Sequence, residues 1–194
     1  MKLKEFYDVN NYAVIRQLAN PQLLKDLPEL YTEGHEEYDY RTESGPTLYS
    51  DERQVSGTYS RTNYPAYKSL HRELKPVLEN VLERRLIPTY YFDRVYYAGT
   101  ELVPHKDWEG CEVSVTLQIE TTLEEPWDFY VEGTPLKLNN GDAVIYNGMD
   151  AEHWREPMPG GKLDYHHQIF LHYVAHNSPY YFVMLENGWE LNDY

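Results

Sequence analysis

The sequence predicts an α+β protein whose core is an antiparallel β sandwich or barrel, with helices gathered ahead of it. Three observations predict this. Apolar residues follow helical spacing before Pro88 and alternate with period two after it. The strand-like runs succeed one another across short turn signals, with no βαβ alternation between them. The cleanest run, "EVSVTLQIE", puts Val113, Val115, Leu117 and Ile119 on one face and Ser114, Thr116 and Gln118 on the other. A strand with helices outside it and a wet cavity inside has that pattern.

The elements follow in order. Residues 9–30, "VNNYAVIRQLANPQLLKDLPEL", carry apolar residues at helical spacing, and Pro21 and Pro28 should break them into short helices. Residues 33–64 mix Gly, Ser, Thr, charge and tyrosine without periodicity. That is long for a structureless loop, so short strands or a lid are expected there. Arg53 and Arg61 within it are candidates to hold an anionic group. Next, Leu70, Leu74, Val77 and Val81 mark one helix face, with Leu78 and Leu82 beside it. Pro65 suits its first turn, Pro76 should kink or divide it, and Pro88 should end it. The strands are then "TYYFDRVYY", "EVSVTLQIE", "WDFYVEG", "DAVIYNG" and "HHQIFLHYV", separated by "AGT", "EEP", "NNGD" and "MPGG". One domain is expected: a helical and irregular flank at 1–89, a β core at 90–176 and a tail at 177–194. Trp189 in the tail should pack on the barrel.

Composition narrows the function. The chain has 194 residues and a formal net charge of −15, and a surface that acidic repels phosphate backbones, so nucleic acid is not expected as a partner. Cys111 is the single cysteine, so no intramolecular disulfide forms and a reducing compartment fits. The N-terminus lacks an apolar signal region and no run reaches membrane-spanning length, so a soluble, cytoplasmic protein is expected. The 20 tyrosines suit strands lining a polar cavity, since a phenol packs its ring and keeps its hydroxyl wet.

The chemistry centres on "VPHKDWEG", residues 103–110. In an extended segment, His105 and Asp107 at i and i+2 project from the same face and can reach one point. Non-haem Fe(II) favours two histidines and a carboxylate on one face of an octahedron. His153 follows 46 residues after Asp107, at a later strand end, with room for several short strands between. Of the other histidines, His35 lies in the irregular region, His71 beside the helix face, and His172 and His176 in or after the last strand as core or surface residues.

"YYAGTELVPHKDWEGCEVSVTLQI", "NNGDAVIYNGMDAEHWREPMPGG" and "HHQIFLHYV", in that order across residues 90–175, resemble the 2-oxoglutarate- and Fe(II)-dependent oxygenases, and most closely their prolyl-hydroxylase-like branch. The resemblance implies a double-stranded β-helix (jelly-roll) core with N-terminal flanking helices. It implies Fe(II) held by His105, Asp107 and His153, with 2-oxoglutarate and O₂ as co-substrates and succinate and CO₂ as products. It also implies a cation for the distal carboxylate of 2-oxoglutarate early in the last core strand, where this sequence departs from the pattern. Three candidates replace it. Arg155 comes first, at i+2 from His153 and able to grip a carboxylate with its planar fork, although a surface salt bridge with Glu152 or Glu156 is the competing use. His166 and Lys162 follow. Gln118 and Thr116 are supplementary donors, and Tyr96 resembles a tyrosine the family sets against the co-substrate, with strand packing as its alternative. The substrate expected is a peptidyl proline, a free amino acid or another small molecule. Two rivals are a cupin-type metal enzyme without 2-oxoglutarate, and a jelly-roll binding protein in which His105 and Asp107 form a structural hydrogen bond.

Overall fold

The computed structural model describes residues 2–24, 48–51 and 54–191. Two antiparallel sheets make up the β core. The larger has seven strands, β1 (Tyr12–Ile15), β2 (Leu48–Asp51), β3 (Tyr59–Thr62), β4 (Leu86–Tyr97), β6 (Val113–Thr121), β9 (Ala143–Tyr146) and β11 (Tyr165–Ala175), in the order β1-β9-β6-β11-β4-β3-β2. The smaller has four, β5 (Leu102–His105), β7 (Phe129–Val131), β8 (Thr134–Leu136) and β10 (His153–Arg155), in the order β5-β10-β7-β8. The helices are α1 (Leu3–Asn10), α2 (Lys68–Leu82) and α3 (Pro179–Glu186). No helix among the described residues is long and apolar enough to cross a membrane.

Strand alternation sorts the large sheet into a dry face and a wet one. On β6, Val113, Val115, Leu117 and Ile119 join Leu74, Leu78 and Leu82 of α2 and Tyr7 of α1 in one apolar cluster, as the alternation requires. Ser114, Thr116 and Gln118 face the other way. Antiparallel pairing aligns them with the corresponding row of β11: Gln168 opposite Gln118, Phe170 opposite Thr116, and His172 opposite Ser114. Beyond β11 the row continues into β4, where Gln168 also faces Arg94 and His166 faces Tyr96. The wet face of the large sheet therefore carries aligned polar side chains, all buried.

Several expectations change. Residues 12–15 form a strand zipped to β9 where helical spacing was expected, and the N-terminal helix lies earlier, at 3–10. Four residues are too few for periodicity to tell strand from helix. The buried face of α2 runs through His71, Leu74, Lys75, Leu78 and Leu82, while Val77 is 43% exposed. His71 turns the helix inward: its Nε2 lies 3.0 Å from the His172 carbonyl, and its ring meets those of Tyr91 and Tyr173. The helix runs through Pro76 undivided and ends at Glu83 in a left-handed conformation (φ 52°), so Pro88 lies inside β4.

The part of segment 33–64 that is described forms the β2–β3 hairpin and the turn after Gln54, continuing the large sheet beyond β4. Arg61 is turned into the interior. It is buried with a bidentate grip on Asp93, which also bonds His167 Nε2 at 2.8 Å. Pro28, His35 and Arg53 lie outside the described residues. Trp189 packs with Ile87, Val174 and Met184.

Candidate metal centre

β5 and β10 are neighbours in the small sheet, and their register sets His105 directly opposite His153. That pairing brings together residues 48 positions apart in the chain, with ring centroids 4.2 Å apart. Asp107 follows β5 by two residues. Its carboxylate Oδ1 stands 3.7 Å from His105 Nε2 and 3.5 Å from His153 Nε2. One ligand atom from each of the three lies within 4.8 Å of the others.

The tautomers are set by the backbone. His105 Nδ1 lies 2.8 Å from the Val103 carbonyl, and His153 Nδ1 lies 3.0 Å from the Ala151 carbonyl. A carbonyl accepts only, so each Nδ1 carries a proton, and in the neutral ring each Nε2 is left as a lone pair. Two such imidazoles and one carboxylate are the donor set of a divalent first-row metal with open positions. A structural His105–Asp107 hydrogen bond is not formed, because 3.7 Å is beyond bonding range.

Asp107 is pinned from several sides. Its N–H bonds the Gly148 carbonyl at 2.8 Å, and its Oδ2 accepts from Ser114 Oγ at 3.0 Å. Gly148 allows this approach: a Cβ there would sit 2.6 Å from Asp107 Oδ2 and clash with the Cys111 carbonyl. Burial on its own would raise the Asp107 carboxyl, but the His153 imidazole facing it, with those of His172 and His105, outweighs burial and holds it below the usual range. Burial and the neighbouring His153 lower His105.

A cavity of about 130 Å³ opens on the three residues, walled by Tyr90, Phe92, Phe170, His172 and Arg94 of the large sheet. His172 is buried and its pKa is pushed down to about 4 by that burial. Arg94 reaches the Tyr96 hydroxyl at 3.0 Å and Gln54 Oε1 at 2.9 Å.

Arg155 points into the interior, 2% exposed, and makes no surface salt bridge. Glu156 instead accepts from Trp154 Nε1. Among the described residues no carboxylate pairs with Arg155. Its guanidinium donates to the Trp127 carbonyl at 2.7 Å and to Gln168 Oε1 at 2.8 Å, lies 3.4 Å from His166 Nε2, and stacks over the Trp127 ring. Burial brings its pKa down to about 10, and burial with the adjacent Arg155 charge drives His166 well below its ordinary value. Beside this cation His166 Nδ1 and Gln168 Nε2, and on the neighbouring strand β6 Thr116 Oγ1 and Gln118 Oε1, are buried without a hydrogen-bond partner among the described residues. Buried polar atoms are seldom left so, and a cluster beside an unneutralised cation fits a polar anionic guest. Lys162 is not brought to this region. It stands exposed in the turn before β11, because that strand begins only at Tyr165.

Arg94, Ser114 and His172 escaped the sequence reading. Period two on β4 and β11 was the available signal: Arg94 shares a face with Phe92 and Tyr96, and His172 with His166, Gln168 and Phe170.

No family model matches the sequence, and no curated protein does either. Solved structures do match. A Pseudomonas putida prolyl-4-hydroxylase aligns over 90% of this chain and 98% of its own, with a TM-score of 0.60 and 10% identity. The fold is that of the 2-oxoglutarate- and Fe(II)-dependent oxygenases. HygX from Streptomyces hygroscopicus, solved with nickel and 2-oxoglutarate bound, covers 88% of this chain and 85% of its own at a TM-score of 0.62 and 11% identity. A Trichoplax adhaerens prolyl hydroxylase in complex with a hypoxia-inducible-factor peptide fragment covers 88% and 87%, at a TM-score of 0.61 and 11% identity. At identities of 10–11%, the TM-scores of these matches show a shared fold and nothing finer.

Proposed function

We propose that this chain is an Fe(II)- and 2-oxoglutarate-dependent oxygenase that hydroxylates an unactivated C–H of a peptidyl proline, a free amino acid or another small substrate. The observation that carries the reading is the convergence of His105, Asp107 and His153 within 4.8 Å at a cavity mouth, in a chain with this fold. We read the two sheets as a double-stranded β-helix, residues 90–176 as its core, and the chain as one domain.

His105 Nε2, His153 Nε2 and Asp107 Oδ1 would hold the metal. When bound, Fe(II) with 2-oxoglutarate and O₂ supplies the oxidising chemistry, with succinate and CO₂ as co-products. The protein's own part is to position and enclose. Arg155 would receive the distal carboxylate of 2-oxoglutarate. It stands two strand residues from His153, roughly 6.6 Å along β10, a distance a five-carbon diacid spans. Gln168, His166 and Thr116 would complete its hydrogen bonds, with Gln118 further along the same row. Tyr96 would close the pocket, its ring edge-on to Trp127. Of the other buried arginines, Arg61 is gripped by Asp93, and Arg94 lines the open cavity beside Gln54. We therefore assign the co-substrate to Arg155.

Anaerobic addition of Fe(II) and then 2-oxoglutarate tests this, because chelation produces a weak visible charge-transfer band. The band should form with the wild-type chain and fail with His105→Ala. Its absence from the wild-type chain would remove 2-oxoglutarate from the reading. Succinate release across a substrate screen then identifies what is oxidised.

A further inference from the structure

Behind the carboxylate ligand lies a short chain of hydrogen bonds. Ser114 Oγ is 3.0 Å from Asp107 Oδ2, 3.2 Å from the Cys111 carbonyl and 2.9 Å from His172 Nδ1. A hydroxyl carries one proton. The carboxylate and the carbonyl only accept, so Ser114 donates towards them, and the third contact must be donated by His172 Nδ1–H. His172 therefore donates to Ser114, whose one proton is shared between Asp107 Oδ2, the nearer acceptor, and the Cys111 carbonyl.

His172 is held in place. Its ring packs against Tyr90 at 4.6 Å and Phe92 at 5.6 Å, its residue sits in β11 paired to Ser114 across the ladder, and its carbonyl is held by His71. Its Nε2 is buried with no partner among the described residues, on the wall of the reaction cavity.

We propose that His172 and Ser114 are positioning residues for the metal ligand Asp107. Resting on the metal-centre reading above, the pair ties up Oδ2 so that Oδ1 alone is presented to the ion, at the angle shared by His105 and His153. Groups that orient a ligating carboxylate commonly influence affinity by about 10- to 100-fold.

Titration with Mn(II), following the electron paramagnetic resonance signal of the free ion, tests the pair without turnover. Ser114→Ala should weaken Mn(II) binding by about 10- to 100-fold, and Ser114→Thr, which keeps the hydroxyl, should stay near wild type. His172 separates position from bulk. Asparagine places its amide near ring atom Nδ1 and should preserve affinity, whereas glutamine reaches the Nε2 position and should lose it as Ser114→Ala does. Melting of the metal-free variants should not follow this order, which distinguishes ligand positioning from simple destabilisation. Should Ser114→Ala not fold, the His172→Asn and His172→Gln contrast still decides. Nitrogen-15 correlation spectra of histidine-labelled, Zn(II)-loaded protein give a second measurement: His172 should carry its proton on Nδ1. Variants that all bind Mn(II) like the wild type, or a proton found on Nε2, would overturn the proposal while leaving the metal centre intact. A wild-type chain that binds no Mn(II) would overturn the metal centre, and this inference with it.

Discussion

Replacing Arg155 with methionine distinguishes it from Arg94, the buried arginine on the wall of the open cavity. The substitution keeps much of the side-chain bulk and removes the charge and the fork. In the ligand-free protein two effects oppose each other. An unneutralised buried cation disappears, which is favourable, while the Trp127 carbonyl and Gln168 Oε1 lose their donor, at about 1–3 kcal/mol each. The decisive quantity is therefore the increment added by 2-oxoglutarate. With Mn(II) present and 2-oxoglutarate at about 100 times its dissociation constant, a ligand that binds only the folded chain adds about 2.7 kcal/mol. At this chain length each kcal/mol moves the melting temperature by about 2–4 °C, so the wild-type shift should be roughly 5–11 °C. Two charge-assisted hydrogen bonds to a carboxylate are worth about 1.5–3 kcal/mol each. Losing both weakens binding by about two to four decades, and the shift at the same concentration should shrink to below about 2 °C. Differential scanning fluorimetry reads this directly. Arg94→Met should keep the wild-type shift. A full shift in Arg155→Met, or its loss in Arg94→Met, would refute the assignment and transfer the carboxylate to Arg94.

Three further outcomes follow from packing and charge. Gly148→Ala forces a Cβ against Asp107 Oδ2 and the Cys111 carbonyl; overpacking of about 1–3 kcal/mol should lower the melting temperature by roughly 2–12 °C and weaken Mn(II) binding, both measurable in one calorimetric series. His71 is held neutral by burial, with its pKa lowered from 6.5 to about 3. Its contribution to stability is thus complete above pH 6.5 and is lost as pH falls towards 3, amounting to about 2 kcal/mol by pH 5. Denaturant unfolding at pH 7 and pH 5 should show that loss in the wild type and a smaller one in His71→Gln. Asp93→Ala takes away the carboxylate shared by Arg61 and His167; breaking a buried pair costs about 3–5 kcal/mol, so thermal unfolding by circular dichroism should come roughly 6–20 °C earlier.

What the sequence made legible is whatever depends on short-range alternation. β6 could be read to its faces because nine residues repeat one pattern, and the other long strands betrayed themselves by aromatic and β-branched content. β5 and β10, which carry the two imidazoles, are four and three residues long. No periodicity can be measured over that length, and His105 and His153 were legible only as strand-end residues of the right chemical type. Their meeting depends on inter-strand register, a long-range property. The phase of α2 slipped for a different reason. Leu and Val suggested one face, but His71 and Lys75 are buried on another: His71 bonds and packs against β11, and Lys75 pairs with Glu79. Arg155 shows the opposite: placed on the correct side by counting residues, it gave no sign in sequence that it lacks a carboxylate partner among the described residues.

Gln54 has a consequence for how the centre fills. Its amide nitrogen stands 3.0 Å from His105 Nε2 while its carbonyl oxygen accepts from Arg94. One lone pair cannot face an amide proton and an incoming cation together. An ion taken up at the proposed centre would therefore displace that amide from His105, and the turn leading into β3 would lose this contact. Through Gln54, occupancy at that centre would then be felt at the cavity wall that Arg94 and Gln54 share.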